Sequence, residues 1–539
     1  MRAVSQNVRG FFMVVVEFDY EEFKGLLNLP KEKVVNGLTE IGAPAEVEEE
    51  TGKICAELTP NRPDWYSMEG LARALRSYYK KENKKYLARE SDYRVKVDGS
   101  VKGIRPYTAC AVVKNLKFDD RRIRDIVLLQ EKLLATLGRR VKRFGVGIYP
   151  LHAITFPVRY TTMKPEEIVY LPLNYPKEAD AREILRVHPK GKEYGYIIEK
   201  YERYPVFVDS KNKIMALIPI VNSAETGKVD TKTREVFVEV TGIDKIGINQ
   251  ALNVIVCTLA DMGGEIYKVA VEYEDGVEKT PCLDYVKMKF DVRNAEKILG
   301  VKIGKEKVKE FLKRMGYEYN GREVLVPPYR ADVMGEIDII EDIAIVYGYN
   351  NFEPTLPNFF TPGGVIRKYE PLHDIMRGMG FSEIATFTIT DREKLEKIGW
   401  KADKKIINPA AEEYNVIRPT VLVSLLEVLG VNKTRGLPQK FYEIGIVYEK
   451  GETKKKLCFG VCDKKVGFEE VRGYLQTILK ELGFAYRLEG RESGIFESPF
   501  SAAVFINNKE SGVIGKVKQD ILKEFGIEFP VFMCEINVD

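Results

Sequence analysis

Two stretches of this chain, about 270 residues apart, follow one plan, and that repetition constrains the fold more than any other feature. The first is FDYEEFKGLLNLPKEKVVNGLTEIG, from Phe18 to Gly42, followed after a short variable piece by LTPNRPDWYSMEGLARAL. The second is FDVRNAEKILGVKIGKEKVKEFLKRMG, from Phe290 to Gly316, followed by VPPYRADVMGEIDIIEDIAIVYG. Each opens on Phe-Asp, carries a Lys-Glu-Lys-Val helix stopped by glycine, and continues through Arg-x-Asp into a second apolar helix. Apolar residues at i, i+3 and i+4 in VKEFLKRMG and LARALRSYY mark those helices. Two small helical modules, each with a short strand pair, therefore bracket a central segment. At 539 residues the chain is too long for one core, and roughly three to five domains are expected.

The repeat acts as an internal control for an acidic cluster in its second copy. Asp64 is expected to answer to Asp332 and Glu69 to Glu341, whereas Asp338 and Asp342 fall opposite neutral residues, around Tyr66 or Ser67 and at Gly70. The scaffold thus forms without those two charges. A helix from about Gly335 to Tyr347 places Asp338, Glu341 and Asp342 at i, i+3 and i+4 on one face, with Ile337, Ile340, Ala344 and Tyr347 pointing inward. Carboxylates this close repel one another. A bound dication reverses that sign, and an all-oxygen set selects magnesium or calcium over zinc or copper. The other reading is a solvated face near a helix start, where acids also favour the helix dipole. Asp332, shared with the copy that lacks the cluster, reads as an N-terminal cap.

The central region, residues 96–275, is rich in strands with few long helices. PYTACAVVKNLKF and REVFVEVTGID alternate apolar and polar residues as half-buried strands do. HPKGKEYGYI and VNSAETGKVDT are polar, glycine-bearing loops of the kind that carry sites. Asn222, Ser223, Glu239 and Thr241 form a candidate pocket rim, Glu239 and Thr241 sharing one side of a strand. An ordinary exposed strand face is the simpler alternative. No Ser-His-Asp or Cys-His arrangement argues for a covalent hydrolase. With three histidines and no CxxC pair, zinc is not expected, and the seven scattered cysteines read as reduced and buried. Cys458 and Cys462 fall on one face of a strand. A net charge of +4, from 84 basic and 80 acidic residues, permits nucleic-acid binding through local patches without demanding it. No run of about eighteen uncharged apolar residues is present, so no membrane span is expected. The N-terminal stretch lacks a signal-peptide cleavage site, and the expected location is the cytoplasm.

Taken together, several motifs resemble one family in their order and over nearly the whole chain from about residue 13. They are NRPDWYSMEGLAR (61–73), HPKG (188–191), IPIVNS (218–223), EVTG (239–242), YRADV…EIDIIEDIAIVYGYNN (329–351) and FYEIG (441–445). The family is the phenylalanyl-tRNA synthetase beta subunit, in its shorter archaeal or eukaryote-like form. The resemblance implies an α+β multidomain fold. A loose extension (1–12) precedes a first winged-helix-like module (13–95), a strand-rich editing domain (96–275) and a second winged-helix-like module with the acidic set (276–357). A non-catalytic, degenerate class II synthetase core built on an antiparallel sheet (358–539) follows. The resemblance implies a ligase subunit, in an assembly of two alpha and two beta subunits that joins phenylalanine to tRNA(Phe) with ATP. The synthetic site and most of the ATP binding belong to the alpha subunit, so no catalytic residue for aminoacylation is expected in this chain, and no membrane or DNA partner. It implies magnesium at Asp332, Asp338, Glu341 and Asp342. It also implies that Glu239 accepts the phenol hydroxyl of a wrongly attached tyrosine, with Asn222, Ser223 and Thr241 as its neighbours. Such a site gains by bonding that hydroxyl, because phenylalanine would leave the buried acid unpaired.

NVIRPTVLVSLLEVLG and FYEIGIVYEKGE look like the helix and strand that lead into an ATP-clamping loop. Tyr448-Glu449-Lys450 stands where a catalytic subunit has an arginine, and SGVIGKVKQDILKEFGI lacks the glycine-rich motif ending in arginine. An acid is unfavourable where phosphate must bind. Two rival readings are a free-standing editing hydrolase and a winged-helix nucleic-acid-binding regulator. The large degenerate core argues against the first, and an acidic cluster where a phosphate-facing helix should be basic argues against the second.

Overall fold

A computed structural model describes residues 14–356, 363–364 and 368–538, and the chain divides into two units, residues 1–356 and 357–539. The expected extension at 1–12 lies outside the described residues. The architecture is mixed α/β with several separate sheets.

The first copy of the repeat runs through β1 (Val14–Phe18), α1 (Tyr20–Leu26), α2 (Lys31–Glu40), β2 (Ala45–Val47), β3 (Ile54–Leu58) and α3 (Met68–Leu75). Asp19 starts α1 by accepting from the Glu21 and Glu22 N–H groups. Gly42, at a φ of 95°, allows the left-handed turn just after α2. The three strands pair in the order β1-β3-β2.

In the central region β4 (Arg94–Val97), β5 (Tyr107–Lys114), α4 (Asp120–Ala135), β6 (Phe144–Pro150) and β7 (Val158–Met163) precede α5 (Pro189–Tyr194) and β8 (Tyr204–Val208). The region continues with β9 (Ile214–Leu217), β10 (Val221–Asn222), β11 (Val236–Gly242), α6 (Lys245–Asp261) and β12 (Glu265–Tyr273). One sheet follows the order β10-β9-β8-β7-β4-β12-β5-β11-β6, with short strands 88–89 and 276–280 on β12. The strands expected to be half-buried are covered on both faces. Val236, Val238 and Val240 pack with α6, which is apolar almost all round, while Phe237 joins Tyr149, Tyr160 and Phe207 on the other side. A helix on one face and the curl of the sheet on the other remove the solvated side that alternation implies. Glu239 and Thr241 consequently sit on an enclosed face.

The second copy comprises β13 (Val286–Lys289), α7 (Val292–Leu299), α8 (Lys305–Arg314), β14 (Glu318–Tyr319), β15 (Glu323–Val326) and α9 (Glu336–Tyr347). Its strands pair as β13-β15-β14, the same first-third-second order as the first copy. The caps Ser67 and Gly335 stand at the same separation from their Arg-x-Asp motifs, and this corrects the expected pairing of acids. Asp338 answers to Gly70, Glu341 to Arg73 and Asp342 to Ala74, while Glu69 answers to Ile337. Asp332 is not a cap. Both its oxygens accept from Arg330, at 2.8 and 2.7 Å, as both oxygens of Asp64 accept from Arg62 at 2.9 Å. An arginine two residues earlier offers a bidentate partner that outcompetes a single backbone N–H. The buried stripe of α9 is Ile339, Ile340, Ile343, Ala344 and Val346, whereas Ile337 is 57% exposed rather than inward. Arg73, buried, bonds Asp261 at 2.6 Å and stacks over the Tyr329 ring, tying both copies to the end of α6.

The second unit contains α10 (Glu370–Gly378), β16 (Ser382–Glu383), α11 (Leu422–Val431), β17 (Gln439–Glu449), β18 (Glu452–Cys462) and α12 (Phe468–Glu481). It closes with β19 (Tyr486–Gly490), β20 (Phe496–Ile506), β21 (Lys509–Val517) and β22 (Val531–Asn537). Its sheet order is β16-β17-β18-β22-β21-β20-β19, antiparallel except for β16 against β17. Cys458 and Cys462 share the face under the α11 leucines, and α12 packs on the other face. Among the described residues no helix is long and apolar enough to cross a membrane.

Candidate functional site

A cavity of about 390 Å³ opens in the first unit between α4, α5 and the strands β6, β9, β10 and β11. Its polar lining includes Glu239 and Thr241 of β11, Asn222 of β10, and His188 and Lys190 at the start of α5. Two glycines of β6 make room for it. Gly147 pairs with Glu239 and Gly145 with Thr241, and a side chain on either would collide with the Glu239 carboxyl or with Pro219.

Glu239 is 1% exposed, and among the described residues no cation bonds it. Its Oε1 lies 3.2 Å from the Tyr149 hydroxyl, which is also 3.2 Å from Asn222 Oδ1 and donates to one acceptor at a time. Among the described residues its Oε2 and the Thr241 hydroxyl, both buried, have no partner at hydrogen-bonding geometry. Burial pushes the carboxyl up to about 8, against the Tyr149 hydrogen bond, the charge of Arg105 and the nearby Thr241 hydroxyl. Arg105 itself is fully buried and donates to the Thr241 and Lys142 carbonyls, at 3.0 and 3.4 Å, so it supports the wall rather than neutralising the acid. His188 accepts the Lys190 N–H at Nδ1, which leaves Nε2 to donate to the Leu173 carbonyl, 3.2 Å away.

Glu239, Thr241 and Asn222 are brought together. Ser223 is not, because its hydroxyl accepts from the Glu225 N–H and it is not on the cavity wall. Sequence reasoning assigned no role to Tyr149, Arg105, Gly145 or Gly147. The signal for the glycines was present in FGVGIYP, where two glycines at a strand's period of two mark a close approach.

The acidic set of α9 is arranged differently. Asp342 Oδ2 accepts from Tyr317 at 2.5 Å and from Arg330 at 2.8 Å, so Arg330 bridges Asp342 and Asp332. Burial opposes the charge of Asp332, but Arg330 holds its carboxyl below the usual range. Asp338 Oδ2 accepts from the Met334 and Gly335 N–H groups at 2.8 Å each and so caps the helix. Glu341 is exposed. Among the described residues no three acids, histidines or cysteines gather into a ligand set. The oxygen-only donors suit magnesium, which needs only one or two carboxylates and keeps several waters.

In the second unit the position expected to repel phosphate is itself occupied. Glu449 attracts Lys454 and Lys456, at 3.7 and 3.5 Å, and Arg418 is buried against Glu443.

Residues 288–349 match the tRNA synthetase B5 domain and residues 353–538 the phenylalanyl tRNA synthetase beta chain CLM domain. The chain is thus built from aminoacyl-tRNA synthetase domains. It is 34% identical over 545 residues to the phenylalanine–tRNA ligase beta subunit of Archaeoglobus fulgidus, covering 98% of each chain. It is 35% identical over 495 residues to that of Thermococcus sibiricus, covering 88% of each. A solved N-terminal fragment of the phenylalanyl-tRNA synthetase beta subunit from Pyrococcus horikoshii matches with a TM-score of 0.59 at 33% identity, over 62% of this chain and 99% of the fragment. The chain belongs to the phenylalanine–tRNA ligase beta subunit family.

Proposed function

We propose that the Glu239 cavity hydrolyses tyrosine wrongly esterified to tRNA(Phe), in a ligase where this chain is the beta subunit and phenylalanine is attached on an alpha partner. The observation that carries this reading is the Glu239 Oε2, buried, unpartnered and on the wall of a ligand-sized cavity. A tyrosine hydroxyl meets that oxygen, whereas phenylalanine leaves it unpaired at a cost of about 1–3 kcal/mol. Near neutral pH the carboxyl is protonated, so it can accept from the phenol or donate to it. Thr241 and Asn222 complete the contacts, and Ser223 holds the loop behind Asn222. The lining offers no nucleophile-base pair, so water positioned by the substrate and by backbone groups attacks the ester. In the assembled ligase Glu239→Ala is expected to let Tyr-tRNA accumulate while phenylalanine charging is unchanged. Unchanged clearance of Tyr-tRNA refutes the reading.

The wider assignment follows the family. Two alpha and two beta subunits assemble in the cytoplasm, with ATP bound mainly by alpha. The repeated modules are winged-helix-like and the second unit is a class II core that has lost its chemistry. Magnesium would be held by the acids Asp332, Asp338, Glu341 and Asp342, with Arg330 orienting Asp332 and Asp342. It would there brace the helix electrostatically, far from the ligation chemistry. Calorimetric titration of the chain with magnesium is expected to show binding that Asp338→Asn with Glu341→Gln abolishes. Retained binding in that variant removes those two residues from the site.

A further inference from the structure

The helix α4 that walls the Glu239 cavity is also where the first copy of the repeat meets the central region. At 3.6 residues per turn its side chains fall into three stripes. Val127, Gln130, Glu131 and Leu134 line the Glu239 cavity. Ile126, Leu129 and Leu133 are buried in the core. On the third side Arg121, Asp125 and Lys132 face a second cavity, of about 470 Å³, across which stand Phe18 and Met68 of the first copy. Whatever grips that third stripe helps to decide where the cavity wall stands.

The grip is Glu69 of α3, a buried acid with no part in the Glu239 cavity. Its Oε1 lies 3.3 Å from Arg121 Nη1, and the same nitrogen bonds Asp125, one turn along α4, at 2.6 Å. Among the described residues the buried Glu69 Oε2 has no partner at hydrogen-bonding geometry. Burial pushes the carboxyl up against the charge of Arg121, and Asp125 pushes it the same way as burial. The repeat shows that the module itself does not ask for this acid. Glu69 answers to Ile337, which is 57% exposed at the start of α9, and the second copy folds with the same strand order. Burying an acid with an unmet oxygen costs free energy that a well-packed apolar side chain does not. The first copy carries that cost at a position that faces α4, where Arg121 meets it.

We propose that Glu69 is a positioning residue for hydrolysis in the Glu239 cavity: through Arg121 it fixes α4, and with it the Gln130 and Glu131 side of the wall, against the first copy of the repeat. The inference rests on the hydrolytic reading of the cavity and adds a residue that acts on it from outside. A misplacement of about 1 Å, even one caused far from the chemistry, can cost on the order of 100-fold in rate. The test uses the assembled ligase with Glu69→Ala and Glu69→Gln, read by Tyr-tRNA(Phe) hydrolysis, phenylalanine charging and backbone hydrogen exchange. Glu69→Ala is expected to speed exchange along α4 by roughly tenfold or more, with α12 of the second unit unchanged. It is expected to lower kcat for Tyr-tRNA hydrolysis by roughly tenfold or more while phenylalanine charging stays at the parental rate. Glu69→Gln keeps an oxygen that accepts from Arg121 and is expected to behave as the parent does in all three measurements. Parental hydrolysis or parental α4 exchange in Glu69→Ala overturns the proposal, and so does an equal loss in Glu69→Gln. Exchange that rises equally in α12, or an equal loss of phenylalanine charging, marks general unfolding and overturns it too. An unsubstituted ligase that leaves Tyr-tRNA intact sinks the cavity reading alone, while α4 exchange in Glu69→Ala still decides whether Glu69 holds the wall.

Discussion

Glu239 of the first unit and the buried Glu443 and Glu535 of the second are handled in opposite ways. In the second unit Glu443 accepts from Arg418 and Thr386, and Glu535 accepts from Lys456 at 3.1 Å, Thr420 at 2.8 Å and the Val421 N–H at 2.6 Å. Their charge is answered from several sides, so they knit α11 to the sheet and have nothing to offer a ligand. In the first unit Glu239 is as deeply buried, yet among the described residues it meets only neutral hydroxyls, of Tyr149 and Thr241, and no cation bonds it. Burial without a counter-ion shifts the acid toward its neutral form instead of pairing it. An acid saturated by the fold has no oxygen to offer a ligand; an acid left unpaired beside a cavity keeps one.

The largest effect expected from this contrast is on stability. Arg418→Ala strands Glu443 in the core and is expected to cost about 3–5 kcal/mol in denaturant unfolding. A cost below about 1 kcal/mol breaks the comparison, because Glu443 would then tolerate isolation as Glu239 does.

Glu239→Gln tests the other side. The folded carboxyl titrates at about 8 against an ordinary 4.5, so the fold holds an extra proton between those values. The stability tied to that proton is fully present below pH 4.5 and is lost as pH rises through about 8. Thermal melts of Glu239→Gln are therefore expected to match the parent near pH 4.5 and to exceed it increasingly toward pH 8.5. Parallel pH profiles contradict an unpaired acid. The smallest change is Tyr149→Phe, which removes the hydroxyl beside Oε1 and is expected to reduce the preference for tyrosyl over phenylalanyl ester by roughly fivefold, about 1 kcal/mol. The ester hydrolysis rates of that variant check it.

How much of this was legible depends on the range of the interaction. The repeat could be read because Phe-Asp, Lys-Glu-Lys-Val and the stop glycines are local signals, and both copies fold with the same strand order. The register of the acids could not, since Asp332 has the residue type of a good cap and only the placement of Arg330 claims it. Alternation placed Glu239 and Thr241 on one side of a strand, but the burial of that side depends on rings from β6, β7 and β8, which no local pattern connects. Ser223 shows the converse, because adjacency to Asn222 in sequence does not foretell that its hydroxyl accepts from the Glu225 N–H. Tyr149, far from Glu239 in sequence, comes into contact only through the β6–β11 pairing.

The most direct measurement is the ratio of hydrolysis rates for Tyr-tRNA(Phe) and Phe-tRNA(Phe) by the assembled ligase, parent against Glu239→Ala. The account predicts that the ratio falls on the order of 10- to 100-fold, through loss of the tyrosyl rate alone, as expected when a buried hydrogen-bonding group that reads a hydroxyl is removed. A ratio unchanged by the substitution would contradict it.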